Sequence, residues 1–323
     1  MIREIAGDFY RIILPMPFRL SHVNVYALVQ DSRVTLFDAG LNTPEAFTTL
    51  EAGLKRIGRS LREIDRIFIT HRHGDHCGMA GRLREISGAK ILMTDTDHAS
   101  IRMGDDMDRM IMEIQSFYRF HGLEEDVVAS FAAIFKGWVK MTGSFSLDHP
   151  LRNGETFDIG KHRLEVLAAP GHSRGQVCFF FRTEGILLAG DHILPEITPN
   201  LSPDLLEPDF RPLERYLSSL TDMEQLPVQI VYPAHGRPFT NFKERIAEIR
   251  EHHQERRGLT LASVRENGKS ACEISVDLFG ENLPEFDRFL ALNETYVHLV
   301  ELVRGGLIQT DIRDKRCFYR RVD

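Results

Sequence analysis

The chain is poor in cysteine, has no excess of positive charge, and contains no long apolar run. Its four cysteines, Cys77, Cys178, Cys272 and Cys317, are far apart and form no C-x-x-C pair; they read as reduced thiols in a cytoplasm. No stretch approaches 18 consecutive apolar residues, so nothing is expected to span a membrane. Met1 to Asp8 lacks the apolar core of a signal peptide. Lys and Arg number 40 against 47 Asp and Glu, a net charge of −7, and the pI is near 6.1. That balance argues against a general nucleic-acid binder, which shows a basic stripe. No Gly-x-Ser-x-Gly motif is present to supply a serine nucleophile. The remainder is ordinary: 42% hydrophobic residues and a mean hydropathy of −0.22 describe a soluble globule, and 323 residues allow one large domain or two.

What is present is concentrated in Thr70-His71-Arg72-His73-Gly74-Asp75-His76. Three imidazoles and one carboxylate follow the apolar run Arg66-Ile67-Phe68-Ile69, which reads as a buried strand ending in a loop. This spacing is a poor helix face and a poor core pattern. Neutral imidazole and carboxylate are, however, the ligands of zinc and its neighbours. Three further segments place one such residue in a Gly- or Pro-marked turn after an apolar run: Ala169-Pro170-Gly171-His172, Leu188-Ala189-Gly190-Asp191 and Tyr232-Pro233-Ala234-His235-Gly236. Four strands ending this way would converge on one sheet edge. Cys77 follows His76 and reads as a small buried residue beneath the site rather than a ligand.

In these segments the chain resembles the metallo-β-lactamase superfamily over roughly residues 8 to 240. The resemblance implies an α/β fold, an αβ/βα sandwich of two mixed sheets with helices outside and a two-metal site at one edge. It implies that His71, His73 and His172 hold one divalent ion, that Asp75, His76 and His235 hold the other, and that Asp191 bridges them. Zn2+ is the default for so His-rich a set, with Fe or Mn tolerated. Asp191 stands where class B β-lactamases carry Cys, which points to the hydrolase branch that includes glyoxalase II, acyl-homoserine lactonases and metal-dependent ribonucleases. Asp38, in Asp38-Ala39-Gly40, would sit behind the ligands and orient a histidine through its second ring nitrogen.

Strands are expected at Tyr10 to Leu14, Val23 to Val29, Val34 to Phe37 and Ala89 to Met93. A helix is expected over Pro44 to Arg56, with Thr43 as N-cap and Pro44 at the first helical position, and a short one over 79 to 86. Residues 97 to 148 carry apolar residues at helical spacing and read as an inserted helical lid. It has five basic and nine acidic residues and a methionine cluster of Met103, Met107, Met110 and Met112. So acidic a lid would repel a polyphosphate strand. Gln176 to Phe181 and Gly185 to Ala189 read as a hairpin, and the proline-rich stretch 193 to 212 as an irregular loop. From 241 to 323 the pattern becomes a helix over Phe242 to Arg257, another over Leu283 to Arg304 and a terminal hairpin. This resembles the winged-helix module behind some hydrolases of the superfamily. Its 14 basic and 15 acidic residues favour a structural or oligomer-contact role over DNA binding. The domains expected are therefore 1–240, catalytic, and 241–323, winged-helix-like.

The resemblance implies a binuclear metal-dependent hydrolase in which a metal-bound hydroxide attacks a small carboxyl derivative: a thioester, ester or lactone. Asp75 is the ligand that could double as proton acceptor, and Asp191 joins it in the catalytic set. The alternatives are an endoribonuclease of the same fold or a mononuclear-iron persulfide dioxygenase. The partner expected is a small-molecule substrate, with a homo-oligomer open. His22, His192 and Tyr232 lie beside the site segments and read as structural.

Overall fold

The computed structural model describes residues 2–102, 107–205 and 207–322. The first sheet runs in spatial order β1 (Ile2–Ala6), β2 (Phe9–Pro15), β3 (His22–Gln30), β4 (Arg33–Phe37), β5 (Ile64–Phe68), β6 (Lys90–Met93) and β7 (His149–Pro150). It is antiparallel from β1 to β4 and parallel from β4 to β7. In the second sheet β8 (Thr156–Ile159), β9 (His162–Ala168), β10 (Val177–Phe181) and β11 (Ile186–Gly190) are antiparallel, and β12 (Ile230–Pro233) adds in parallel to β11.

The strand sequences are nearly continuous apolar runs because both faces of each sheet are covered. Alternation then decides which side chain goes where. In β3, Val23, Val25 and Ala27 face an outer core, while Tyr26 and Leu28 face the layer between the sheets. In β10, Val177, Phe179 and Phe181 join that middle layer and Cys178 and Phe180 turn outward. The middle layer is built on aromatic rings: Phe37 lies 5.4 Å from Phe68 and 5.4 Å from Phe179. Outside the first sheet lie α1 (Pro44–Arg56) and α3 (Ala80–Ser87), separated in sequence by α2 (Gly74–Cys77). Thr43 Oγ1 accepts from the Ala46 N–H at 3.2 Å, and Pro44 opens α1, as the sequence suggests.

The stretch 95–140 folds as α4 (Asp95–Arg102), α5 (Met107–Phe120) and α6 (Glu125–Lys140). Outside the second sheet lie α7 (Pro212–Glu224) and α8 (Phe242–Ser263), followed by α9 (Ala271–Phe279), α10 (Glu285–Arg304) and the antiparallel pair β13 (Ile308–Arg313) and β14 (Arg316–Arg321). Among the helices, the structure differs from the sequence reading in several places. Helix α8 runs to Ser263 rather than Arg257. Helices α7 and α9 come in addition to those read from the sequence. Helices α5 and α6 also do not stand alone over the sandwich: Tyr118, Val128 and Phe131 share one core with Ile274, Phe289, Leu292, Leu299, Ile308 and Tyr319 of the C-terminal segment. Of the methionine cluster, Met103 lies outside the described residues, Met107 and Met110 are half-buried, and Met112 is 61% exposed. Among the described residues no helix is long and apolar enough to cross a membrane.

Candidate metal centre

All seven histidine and aspartate residues singled out in the sequence meet at one end of the sandwich. β5 delivers His71 and His73 on the loop that follows it. Asp75 and His76 sit on the four-residue helix α2, not on the loop itself. His172 follows β9, Asp191 follows β11 and His235 follows β12. The backbone turns just before two of these ligands need glycine. Gly171 has φ +145°, and a Cβ there would stand 2.5 Å from Tyr216 Cβ. Gly190 has φ +52° and faces Thr70 at 3.1 Å. Both combine a conformation L side chains rarely adopt with a close approach.

The ligand atoms fall into two groups. His71, His73 and His172 place theirs within 4.8 Å of one another, and so do Asp75, His76 and His235. His71 Nε2 and His73 Nδ1 are 2.9 Å apart. Asp191 divides its carboxylate between the groups: Oδ2 is 3.4 Å from His172 Nε2, and Oδ1 is 3.4 Å from both His76 Nε2 and His235 Nε2. Asp75 Oδ2 is 3.3 Å from His235 Nε2 and 3.6 Å from His76 Nε2.

The opposite ring nitrogens are held from behind. His76 Nδ1 donates to Asp38 Oδ2 at 2.8 Å, His172 Nδ1 to the Asn200 carbonyl at 2.8 Å, and His235 Nδ1 to the His22 carbonyl at 2.8 Å. These contacts hold Nε2 of each ring toward the centre and would fix the tautomer whose Nε2 lone pair faces a bound cation. Thr70 ties the rear together: its N–H donates to Asp38 Oδ1 at 2.8 Å, and its hydroxyl lies 3.0 Å from His71 Nδ1. Asp97, on α4, joins two ligand loops from outside. It accepts the N–H of Arg72 at 2.9 Å, the hydroxyl of Ser173 at 2.6 Å and the N–H of Gly175 at 2.7 Å.

Electrostatics follow from burial and crowding. Desolvation, with neighbouring imidazoles, drives His71 and His73 well below the usual histidine range, so both rings are neutral, the form that can hold a cation. His76 and His235 are also desolvated, but the Asp191 and Asp75 carboxylates overcome this and raise them, His235 to about 10. Burial would raise Asp75; His76 and His235 bring it down to about 2. His76 Nε2, His172 Nε2 and Asp191 Oδ1 are buried with no hydrogen-bond partner. Such orphans cost about 1–3 kcal/mol each when left bare. All three face the centre of a histidine–carboxylate set whose other atoms are braced, which is the donor chemistry divalent cations take. The residues present therefore fit metal ions.

A family model described as "Metallo-beta-lactamase superfamily" matches residues 19–235. The chain belongs to that superfamily. Among its superfamily relatives it is 28% identical over 300 residues, 90% of this chain and 91% of the relative, to the "Probable metallo-hydrolase YqjP" of Bacillus subtilis (strain 168). Two solved structures align over 99% of it. One is a metallo-beta-lactamase family protein from Thermus thermophilus, with 28% identity, a TM-score of 0.85 and all of that chain covered. The other is a beta-lactamase domain protein from Burkholderia ambifaria, with 27% identity, a TM-score of 0.86 and 94% of that chain covered. Both align with the α8–β14 segment of this chain as well as with the sandwich.

The other residues noted in the sequence have structural surroundings. His22 serves through its carbonyl. His192 is fully buried, its Nε2 3.1 Å from Ser219 Oγ. Tyr232 lies in the middle layer beside Tyr26. Cys77 is buried and donates to the Arg72 carbonyl at 3.2 Å. Sequence reasoning passed over Thr70, Asp97 and Asn200 as parts of the site. Thr70 adjoins the motif and Asp97 opens the insertion, but neither has a spacing that marks it.

Proposed function

We propose that the protein is a binuclear metal-dependent hydrolase of a small carboxyl derivative, a thioester, ester or lactone, acting at the His71–His235 centre. The observation that carries this reading is the divided Asp191 carboxylate, one oxygen toward each ligand group. His71, His73 and His172 would hold one cation and Asp75, His76 and His235 the other, with Asp191 common to both. Zn2+ is the first metal to test. When bound, the cations supply a Lewis acid for the scissile carbonyl and a water acidified toward neutral pH. Asp75 would accept the water's proton, because its carboxylate oxygen stands among the metal-facing nitrogens, 3.3 Å from His235 Nε2. Asp38, Asn200 and His22 keep the imidazoles aimed.

An acyl substrate is supported by an aromatic stack beside these segments. Phe18, in the turn before the strand that braces His235, stacks on Trp138 at 4.8 Å, and Trp138 on Phe286 at 5.6 Å. One turn beyond Trp138, Thr142 Oγ1 would stand 2.5 Å from a Cβ at Gly74, the first residue of α2. Half-exposed rings fit an apolar acyl chain better than a phosphate. We read α8–α10 and the hairpin as a winged-helix-like module in a structural role, and the protein as cytoplasmic with no nucleic-acid partner.

A phosphodiester substrate is the competing reading. The charge of the insertion argues against it less than the sequence suggests. Asp97 is buried, and Asp108, Glu113, Glu124, Glu125 and Asp148 are paired with Lys136, Arg109, Arg288, Arg119 and Arg84. Release of thiol from a short aliphatic acyl thioester by zinc-reconstituted protein is the deciding test. Asp191→Ala should lose metal and abolish turnover. A fully metal-loaded, active variant would sink the bridging role. No thioester or lactone turnover with metal bound, but cleavage of a phosphodiester, would replace the acyl reading.

A further inference from the structure

A second histidine–carboxylate cluster lies between α8 and α10, away from the candidate hydrolytic centre. His253 on α8 and Glu294 and His298 on α10 are 2%, 7% and 0% exposed. His253 Nδ1, His298 Nε2 and Glu294 Oε1 form a triangle with sides of 3.4, 3.5 and 3.7 Å. A point equidistant from them lies about 2.0 Å from each atom, the length of a zinc–nitrogen or zinc–oxygen bond. His252 adds a further ring nitrogen: its ligand atom and those of His253 and Glu294 lie within 4.8 Å of one another.

Hydrogen bonding within the protein accounts for this cluster only in part: the two imidazoles meet at 3.4 Å, and the carboxylate meets them at the longer 3.5 and 3.7 Å of loose ion pairs. Glu294 Oε1 is buried and accepts no hydrogen bond, and His253 Nε2 and His298 Nδ1 are buried without partners. A buried carboxylate paired this loosely, beside two rings whose other nitrogens are unpartnered, is costly. A cation among the three atoms removes the penalty at the oxygen, and mixed imidazole–carboxylate donors are those that zinc-type ions favour.

We propose that His253, Glu294 and His298, with His252 as fourth donor, form a second metal site for a zinc-type divalent cation. Its burial between two helices, with no donor shared with the hydrolytic centre, makes it a structural site rather than a catalytic one. Its place in the fold gives it a task. The Leu290 carbonyl, one turn before Glu294, accepts from Asn200 Nδ2 at 2.9 Å, and the Asn200 carbonyl holds His172. A cation here clamps α8 to α10 and braces the loop behind one ligand of the hydrolytic centre.

The test is metal stoichiometry, which does not depend on activity, so it stands apart from the hydrolase reading. The full chain is stripped with chelator, reloaded with Zn2+, desalted and measured by mass spectrometry of the metal. Glu294→Gln and His298→Gln should each retain one equivalent fewer than wild type with unchanged circular dichroism. Equal metal content in folded variants would overturn the site and leave a plain buried ion pair. Should either variant fail to fold, His252→Ala at its half-buried position reads the same site. In a Zn2+ competition titration it should weaken one equivalent at least tenfold, and an unchanged isotherm overturns the proposal.

Discussion

At the residue scale the ligands depend on groups that touch no ligand lone pair. Asp97 is the clearest case, because one buried carboxylate gathers two backbone N–H groups and a hydroxyl from the His71–His73 and His172 loops. Removing it strands the N–H groups of Arg72 and Gly175, at about 1–3 kcal/mol each. Asp97→Ala is therefore expected to lower stability by about 2–6 kcal/mol in a urea melt. It should also weaken zinc binding at the His71–His235 centre by about 10–100-fold, the usual scale for a residue behind a ligand. A variant with wild-type zinc affinity would show that the two loops hold their positions without it. The seven candidate ligands stood out in the chain because each is a metal-binding residue type in a turn after an apolar strand. Asp97 was not: in sequence it is one more acid in an acidic insertion, and only folding brings residues 72, 173 and 175 to it. The Asn200 and His22 carbonyls carry no side-chain signal at all.

At the scale of elements, α5 and α6 belong with the C-terminal helices as much as with the sandwich. Phe289 is 2% exposed and meets Tyr118 at 4.8 Å and Phe131 at 5.1 Å, so one ring joins α5, α6 and α10. Phe289→Ala should cost about 3–5 kcal/mol. Hydrogen exchange should then speed up in α5 and α6 as well as in α10, while the middle-layer strands stay protected. Faster exchange confined to α10 would separate the insertion from that core. Amphipathic spacing made both sets of helices legible, but spacing does not name a helix's partner. Helix α7 did leave a trace, since Pro212 occupies a first helical position before apolar residues at 213, 216, 220 and 223. The prolines ahead of it outweighed that signal. Helix α9 likewise opens on a Ser270–Glu273 capping box. The last hairpin was readable from the apolar runs Leu307 to Gln309 and Cys317 to Tyr319 on either side of residues 311–315; the turn itself is tighter, only Asp314 and Lys315, both at positive φ.

For the whole molecule, the shared core of insertion and C-terminal segment carries a built-in sensitivity to acid. His121 follows α5 and is 4% exposed; its ring lies among Phe117, Phe120 and Tyr296, with Nδ1 3.3 Å from the Tyr319 hydroxyl. Burial holds it down to about 4, against about 6.5 in an unfolded chain. Between these values the unfolded state binds the proton and the folded state does not, so folding stability rises with pH across the window and falls as acid is added. The stabilisation is complete above about pH 6.5 and is lost progressively toward pH 4, by about 3 kcal/mol for this one group. The metal ligands also titrate, so the measurement belongs on chelator-treated protein, with wild type and His121→Gln unfolded in urea at about pH 7 and about pH 4.5. The variant lacks the titrating ring and should lose less stability on acidification than wild type, by about 2–3 kcal/mol. Equal losses would place the acid sensitivity elsewhere than in the core that joins the insertion to the C-terminal helices.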